Sequence, residues 1–214
     1  MAGAGLKLTS GWAAGMKLQV PAPGKSDLET RPTGGKVRAA VLNMLQERLE
    51  GARVLDLFAG SGAVGLEMVS RGAGGATLVE AGRAALGCLN SNVTELCRRA
   101  AAQGLPKPAV TVISGTVESA LDRLTGTAKG QFDIVWADPP YRDVPGLVVK
   151  LHAAAAVLLA PEGWLVLECS GEDRGGDDPT LKIDLDLVGP GWESRRDRIY
   201  GKTRILVREY LPQE

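Results

Sequence analysis

Three carboxylates in this sequence stand where an acid can meet a ligand: Asp56, Glu80 and Asp138. Asp138 opens the tetrapeptide Asp138-Pro139-Pro140-Tyr141, reached through the apolar run Phe132-Asp133-Ile134-Val135-Trp136-Ala137. An apolar, β-branched segment that ends on an acid, two prolines and an aromatic ring reads as a buried strand that stops abruptly. The prolines fix φ and remove two backbone donors, so neither strand nor helix continues through them. The resulting corner brings together a carboxylate, carbonyl oxygens and an aromatic face. That set suits a planar group bearing an exocyclic amine. A plain strand end with a Pro-Pro turn has the same residues, so the remaining chain has to decide between the two.

The second chemistry-bearing stretch is Val54-Leu55-Asp56-Leu57-Phe58-Ala59-Gly60-Ser61-Gly62. Gly60-Ser61-Gly62-Ala63-Val64-Gly65 matches the phosphate-binding fingerprint G-x-G-x-x-G formally. Asp56, however, precedes the glycines on the strand, and an acid there repels a pyrophosphate and attracts an ammonium. S-adenosylmethionine (SAM) carries an α-amino group, a carboxylate and a sulfonium, and no phosphate. The order acid-then-glycines therefore favours SAM over a dinucleotide, with Asp56, Phe58, Gly60, Ser61 and Gly62 as cofactor-binding residues. Glu80 lies 24 residues after Asp56. At the end of a second strand it would accept hydrogen bonds from ribose hydroxyls.

The elements that must position these residues alternate in type. Strands are expected at Arg53–Phe58, Ala76–Glu80, Ala109–Ile113, Phe132–Ala137 and Gly163–Cys169. Helices are expected at Ala63–Arg71, Arg83–Ala102, Val117–Leu124 and Val144–Leu159. Strands separated by helices mean βαβ units and a parallel sheet covered on both faces. In such a sheet Asp56, Glu80 and Asp138 all reach the C-terminal edge, where ligands bind at the topological switch point, and strand four lies beside strand one. No helical pattern follows Cys169. Strand-like segments near Leu181–Val188 and Arg204–Tyr210 predict an antiparallel closing pair. Before residue 51, Leu6-Lys7-Leu8 and Met16–Val20 alternate as in a β-hairpin. Val37, Ala40, Val41, Met44 and Leu45 then mark an amphipathic helix of about 15 residues, capped by Thr33 and ended by Gly51. The chain thus divides into an appendage, 1–50, and a main domain, 51–214.

Composition excludes several classes of function. The chain has 214 residues with 25 basic and 25 acidic side chains, so nucleic-acid binding would have to rest on a local patch. The three cysteines, Cys88, Cys97 and Cys169, have no CxxC spacing, which argues against a disulfide framework or a zinc site. The single histidine, His152, sits in an Ala-rich run and reads as a helix-surface residue rather than a catalyst. A Ser-His-Asp triad would depend on it. No signal peptide or membrane span is visible, and the expected location is cytoplasmic.

Asp56–Gly62 and Asp138–Tyr141 together resemble the SAM site and the (D/N)PP(Y/F) motif of amino-methyltransferases. Arg31-Pro32-Thr33, Val37-Arg38 and Asn43 resemble the R-P-T-x-x-R-V-R segment of the RsmD-type 16S rRNA (guanine-N2)-methyltransferases. Ser70-Arg71-Gly72-Ala73 and Tyr200-Gly201 add to that likeness, which runs from about residue 6 to 210. The resemblance implies a Rossmann-like class I SAM-methyltransferase fold: a seven-stranded, mostly parallel sheet with an antiparallel last strand, plus a small N-terminal β-hairpin and helix. It also implies SAM as cofactor and a guanine of small-subunit rRNA, free or in the ribosomal subunit, as substrate. Separately, no membrane or metal is expected, and the expected state is a monomer. Three departures stand out. The hairpin carries uncharged Gly11-Trp12-Ala13-Ala14-Gly15 where the family has a basic segment. Thr116 replaces the Asp that contacts adenine after the third strand. Lys36 and Ala39 replace Arg and Glu on the helix.

The expected mechanism follows from these residues. Asp138 and the Pro139 carbonyl accept the two N–H bonds of the amine, Pro140 stiffens the corner and Tyr141 stacks on the base. RNA contacts are expected from Arg31, Thr33, Lys36 and Arg38, and from Arg195, Arg196 and Arg198. For that last cluster an exposed, charge-guarded sheet edge is the competing explanation. Two other functions use the same residues: a DNA adenine-N6 or other amino-methyltransferase, and a non-catalytic RNA-binding assembly factor.

Overall fold

The structure, a computed structural model, describes residues 5–22, 35–140, 144–171 and 191–212. The expectations for Arg31, Thr33, Tyr141 and Leu181–Val188 lie outside the described residues. Seven strands run in the order β3-β2-β1-β4-β5-β7-β6. They are β1 Arg53–Asp56, β2 Gly75–Glu80, β3 Val110–Ser114, β4 Phe132–Ala137, β5 Leu159–Ser170, β6 Trp192–Tyr200 and β7 Thr203–Tyr210. The helices are α1 Gly35–Met44, α2 Ala63–Ser70, α3 Arg83–Ala102, α4 Val117–Thr127 and α5 Val144–Leu158. β2 pairs in parallel with β1 and with β3, and β4 with β5, whereas β7 is antiparallel to both β5 and β6.

The chain separates into two compact units, Met1–Ala120 and Leu121–Glu214. A boundary near residue 50 was expected from sequence. The hairpin and α1 fall within the first of these units, where a buried charge cluster ties them to α2. Glu67 on α2 is fully buried. It accepts from Arg38 Nε at 3.1 Å, from Arg71 Nε at 3.2 Å and Nη2 at 2.9 Å, and from the Thr9 hydroxyl. Arg38 also donates to the Lys7 carbonyl at 2.7 Å, and Arg71 to Asn43 Oδ1 at 2.7 Å. One carboxylate on α2 therefore ties together the hairpin, α1 and the end of its own helix.

In that unit the strands are short and their inward residues apolar: Val54, Leu55, Ala76, Leu78, Val79 and Ile113 are all buried. α2 is buried along nearly its whole length, which its run of small and apolar residues permits. The N-terminal arms form a hairpin-like pair through one bridge, Lys7 with Lys17. Its Gly11 turn sits so close to the end of α2 that a Cβ there would lie 1.9 Å from the Ser70 carbonyl oxygen.

Two boundaries and one strand differ from expectation. α1 stops at Met44, and a 3-10 turn over Gln46–Arg48 replaces its last part. Tighter bonds from Arg48 N–H to Leu45 O and from Leu49 N–H to Gln46 O bring both leucines into the core. β5 begins at Leu159 rather than Gly163, with an irregularity in its pairing to β4. Among the described residues the sixth strand is Trp192–Tyr200, a segment with no strand expected from sequence. Its charged residues disguised it, since a strand at the edge of a sheet carries charges where an interior strand carries apolar side chains.

Candidate active site

The glycine turn is built by hydrogen bonds from both sides. Asp56, the last residue of β1, is 1% exposed. Its Oδ1 accepts from the Phe58 N–H at 3.3 Å, and its Oδ2 accepts from the Gly65 N–H at 3.2 Å. The carboxylate thus braces the turn from beneath and sits at the start of α2, where a negative charge is favourable. Buried as it is, the carboxylate holds backbone N–H groups on both arms of the turn. Gly62 adopts φ +85°, and a Cβ on it would lie 2.6 Å from Leu89 Cδ1. Gly65 is filled just as tightly, with Leu78 Cδ2 at 2.3 Å from a Cβ. Gly60 is different. It adopts φ +54°, and a Cβ there would meet nothing within 4 Å. The two inner glycines thus serve packing, while Gly60 offers open backbone to a ligand.

Glu80 closes the other side. This half-buried last residue of β2 accepts from the Gly60 N–H at 2.7 Å and from the Gly82 N–H at 2.6 Å. Each carboxylate oxygen keeps further acceptor capacity, so Glu80 can fix the turn and still receive ribose hydroxyls. The Gly115 N–H donates to the Glu80 carbonyl at 3.0 Å, bringing the turn after β3 to the same edge. Thr116 follows, exposed, and its Oγ1 accepts from the Ser119 N–H at 3.3 Å as the N-cap of α4. The donor set fits SAM: an open glycine backbone and a rim carboxylate, in a turn whose side chains include no base for a phosphate.

Sequence reasoning missed Asn92. This α3 residue is 2% exposed. Its Nδ2 donates to the Ser61 carbonyl at 2.8 Å and to the Gln19 carbonyl at 2.9 Å, and its Oδ1 accepts from the Gln19 N–H at 2.8 Å.

In the second unit, β4 ends at Ala137 and Asp138-Pro139-Pro140 follows at once, with Asp138 and Pro140 half-buried and Pro139 buried. The expected RNA-binding set fares unevenly. Lys36 is exposed, but Arg38 is 2% exposed and bonded to Glu67 and Lys7, so its guanidinium does not reach solvent. Arg195 is paired with Glu209 and with Glu193, and the carboxylates around it raise its pKa. Arg196 and Arg198 are exposed. They bond to the carbonyls of Arg195 and Asp197, respectively. His152 is buried, not on the surface: its Nδ1 lies 2.9 Å from the Val148 carbonyl and its ring meets Trp192 edge-on at 5.3 Å.

The family model described as conserved hypothetical protein 95 matches residues 6–208. Ribosomal RNA small subunit methyltransferase D of Escherichia coli K12 is 33% identical over 211 residues, covering 95% of this chain and 90% of that protein. The chain belongs to this family, the RsmD-type methyltransferases. Solved structures agree. The putative methyltransferase yhhF of Escherichia coli superposes with a TM-score of 0.68 at 28% identity, covering 97% of this chain and 98% of that one. The Thermus thermophilus protein TTHA0928 gives 0.67 at 30% identity, covering 94% of this chain and 97% of its own. As an RsmD-type protein the chain is a SAM-dependent methyltransferase.

Proposed function

We propose that this chain transfers a methyl group from SAM to the exocyclic N2 of a guanine in small-subunit rRNA. The observation that carries this reading is the Asp138-Pro139-Pro140 corner at the C-terminal end of β4 in a chain of this family. When bound, SAM supplies an electrophilic methyl group on a sulfonium. Gly60 and Ser61 line its binding turn, Glu80 receives its ribose hydroxyls, and Asp56 keeps the turn in shape from below. Thr116 lies beside the adenine.

The guanine amine is a poor nucleophile because its lone pair is delocalised into the ring. Asp138 and the Pro139 carbonyl accept its two N–H bonds, rehybridise the nitrogen and aim the lone pair for in-line displacement. Tyr141 stacks on the base, worth roughly 1–3 kcal/mol. Positioning dominates, since a sulfonium is already a good leaving group. Asp138 takes the amine proton as the product forms. The target base is unpaired or flipped out to enter. On this reading the chain works as a monomer in the cytoplasm, on rRNA or the small subunit, without a metal.

The test is transfer of labelled methyl from SAM to naked small-subunit rRNA, assembled small subunits and DNA in parallel, followed by nucleoside analysis. N2-methylguanosine in either rRNA sample is the expected product. Methylated adenine in DNA, or no transfer to any substrate, overturns the assignment.

A further inference from the structure

Asn92 uses its whole side-chain amide at one junction. It stands in the middle of α3, is 2% exposed, and makes three bonds of 2.8–2.9 Å. Two go to the backbone N–H and carbonyl of Gln19 on the returning arm of the N-terminal hairpin. The third goes to the carbonyl of Ser61, between Gly60 and Gly62 in the ligand-binding turn. Gln19 has an exposed side chain and takes part through its backbone. Ser61 itself flanks the open face at Gly60.

We propose that Asn92 is a positioning residue of the donor site, and that through it the N-terminal arm is part of that site. This rests on the reading of the glycine turn as the SAM-binding turn. An amide is the side chain that fits the task. It pairs with both polar groups of one residue's backbone, as a neighbouring strand would, and has a second N–H left to hold a carbonyl elsewhere. Asp56 fixes the turn through the N–H groups of Phe58 and Gly65, and Glu80 through that of Gly60. Asn92 restrains the turn from the carbonyl side. The three together set the peptide planes that a ligand meets. The returning arm is joined to its partner by the backbone bonds Leu8 N–H to Met16 O, Gly15 N–H to Leu8 O and Leu18 N–H to Leu6 O. A displaced arm therefore pulls on the same amide that holds Ser61.

The experiment compares wild type with Asn92→Leu, which keeps the volume and removes every polar contact. The second variant is Gln19→Pro, which removes the arm's N–H donor and leaves α3 untouched. SAM affinity is measured by calorimetry, kcat at saturating SAM by methyl transfer, and folding by circular dichroism. The expected result for Asn92→Leu is a SAM Kd raised about tenfold, with kcat at saturating SAM nearly unchanged. Gln19→Pro should raise Kd in the same direction by a smaller factor, because the Ser61 bond remains. A folded Asn92→Leu with wild-type SAM affinity overturns the inference. If Asn92→Leu does not fold, Gln19→Pro decides: unchanged SAM affinity overturns the inference, and weakened affinity upholds it. Absence of SAM binding by wild type would refute the reading of the turn itself, a separate and recognisable outcome.

Discussion

Asp56 and Asp138 are both acids at strand ends, yet their surroundings give them different work. Asp56 is sealed beneath the glycine turn with its two oxygens on the N–H groups of Phe58 and Gly65. Asp56→Ala therefore removes a brace, and both N–H groups lose a charged acceptor. Each such bond is worth about 1.5–3 kcal/mol, so SAM affinity should fall at least roughly tenfold; unchanged affinity by calorimetry would sink the assignment. Asp138 is half-buried on the proline corner, with backbone made rigid on its C-terminal side. Asp138→Ala should lower the methylation rate by roughly 10²–10⁴-fold, the usual range for loss of a positioned base, while SAM binding is largely kept. A full rate in a variant that binds SAM normally contradicts the mechanism.

Among the elements, α3 and β4 were legible to the residue, because a long helical period and a dense apolar run ended by prolines leave one interpretation. The outlying elements were less so, and for one reason: in a sequence, a charged side chain reads as solvent-exposed. Arg38 looked exposed because its partner Glu67 is 29 positions away, and β6 was hidden by its own arginines. Asn92 gave no signal, since its partners are backbone groups that any residue supplies. The buried cluster makes its own prediction. Glu67 is a single carboxylate between two buried guanidinium groups, so Glu67→Gln leaves two uncompensated charges and should destabilise by about 3–5 kcal/mol. Arg38→Ala leaves the Glu67–Arg71 pair balanced and should cost less. Chemical denaturation gives the order, and equal losses would show that the charges are not what holds the hairpin and α1 to α2. His152 supplies a pH dependence for the second unit. Burial lowers its pKa below the ordinary 6.5, the Val148 carbonyl works against that shift, and nearby Arg208 adds to it. The unfolded chain then binds the extra proton, so this contribution to stability is fully present above about pH 6.5 and is lost as the pH falls toward the folded-state value. Melting temperature should drop between about pH 7.5 and 5.5, and His152→Phe, which keeps a ring against Trp192, should flatten that drop. An equally steep decline in the variant would assign it to other groups.

For the molecule as a whole, attraction to RNA has to be local, since 25 basic and 25 acidic residues cancel. The structure narrows where it can come from. Arg38 and Arg71 are spent on Glu67, Arg195 on Glu209 and Glu193, and Arg204 on Asp197 through bonds of 2.8 and 2.9 Å. Arg196 and Arg198 are exposed, two positions apart on β6, and bond to carbonyl oxygens of their own strand. A strand directs such residues to one side. If that side meets the phosphate backbone, each arginine releases counterion on binding, and the salt dependence of affinity counts them. The double variant Arg196→Ala and Arg198→Ala should weaken rRNA binding uniformly across sequences and reduce the slope of log Kd against log salt by about one per arginine. SAM affinity should be unaffected, because neither arginine is among the groups that build the glycine turn. The competing role for these arginines, guarding a sheet edge against pairing with other chains, predicts a different outcome: unchanged RNA affinity and slope, with aggregation rising at high protein concentration. Filter binding over a salt series, alongside light scattering on the same samples, separates the two, and an unaltered slope would remove β6 from the RNA interface.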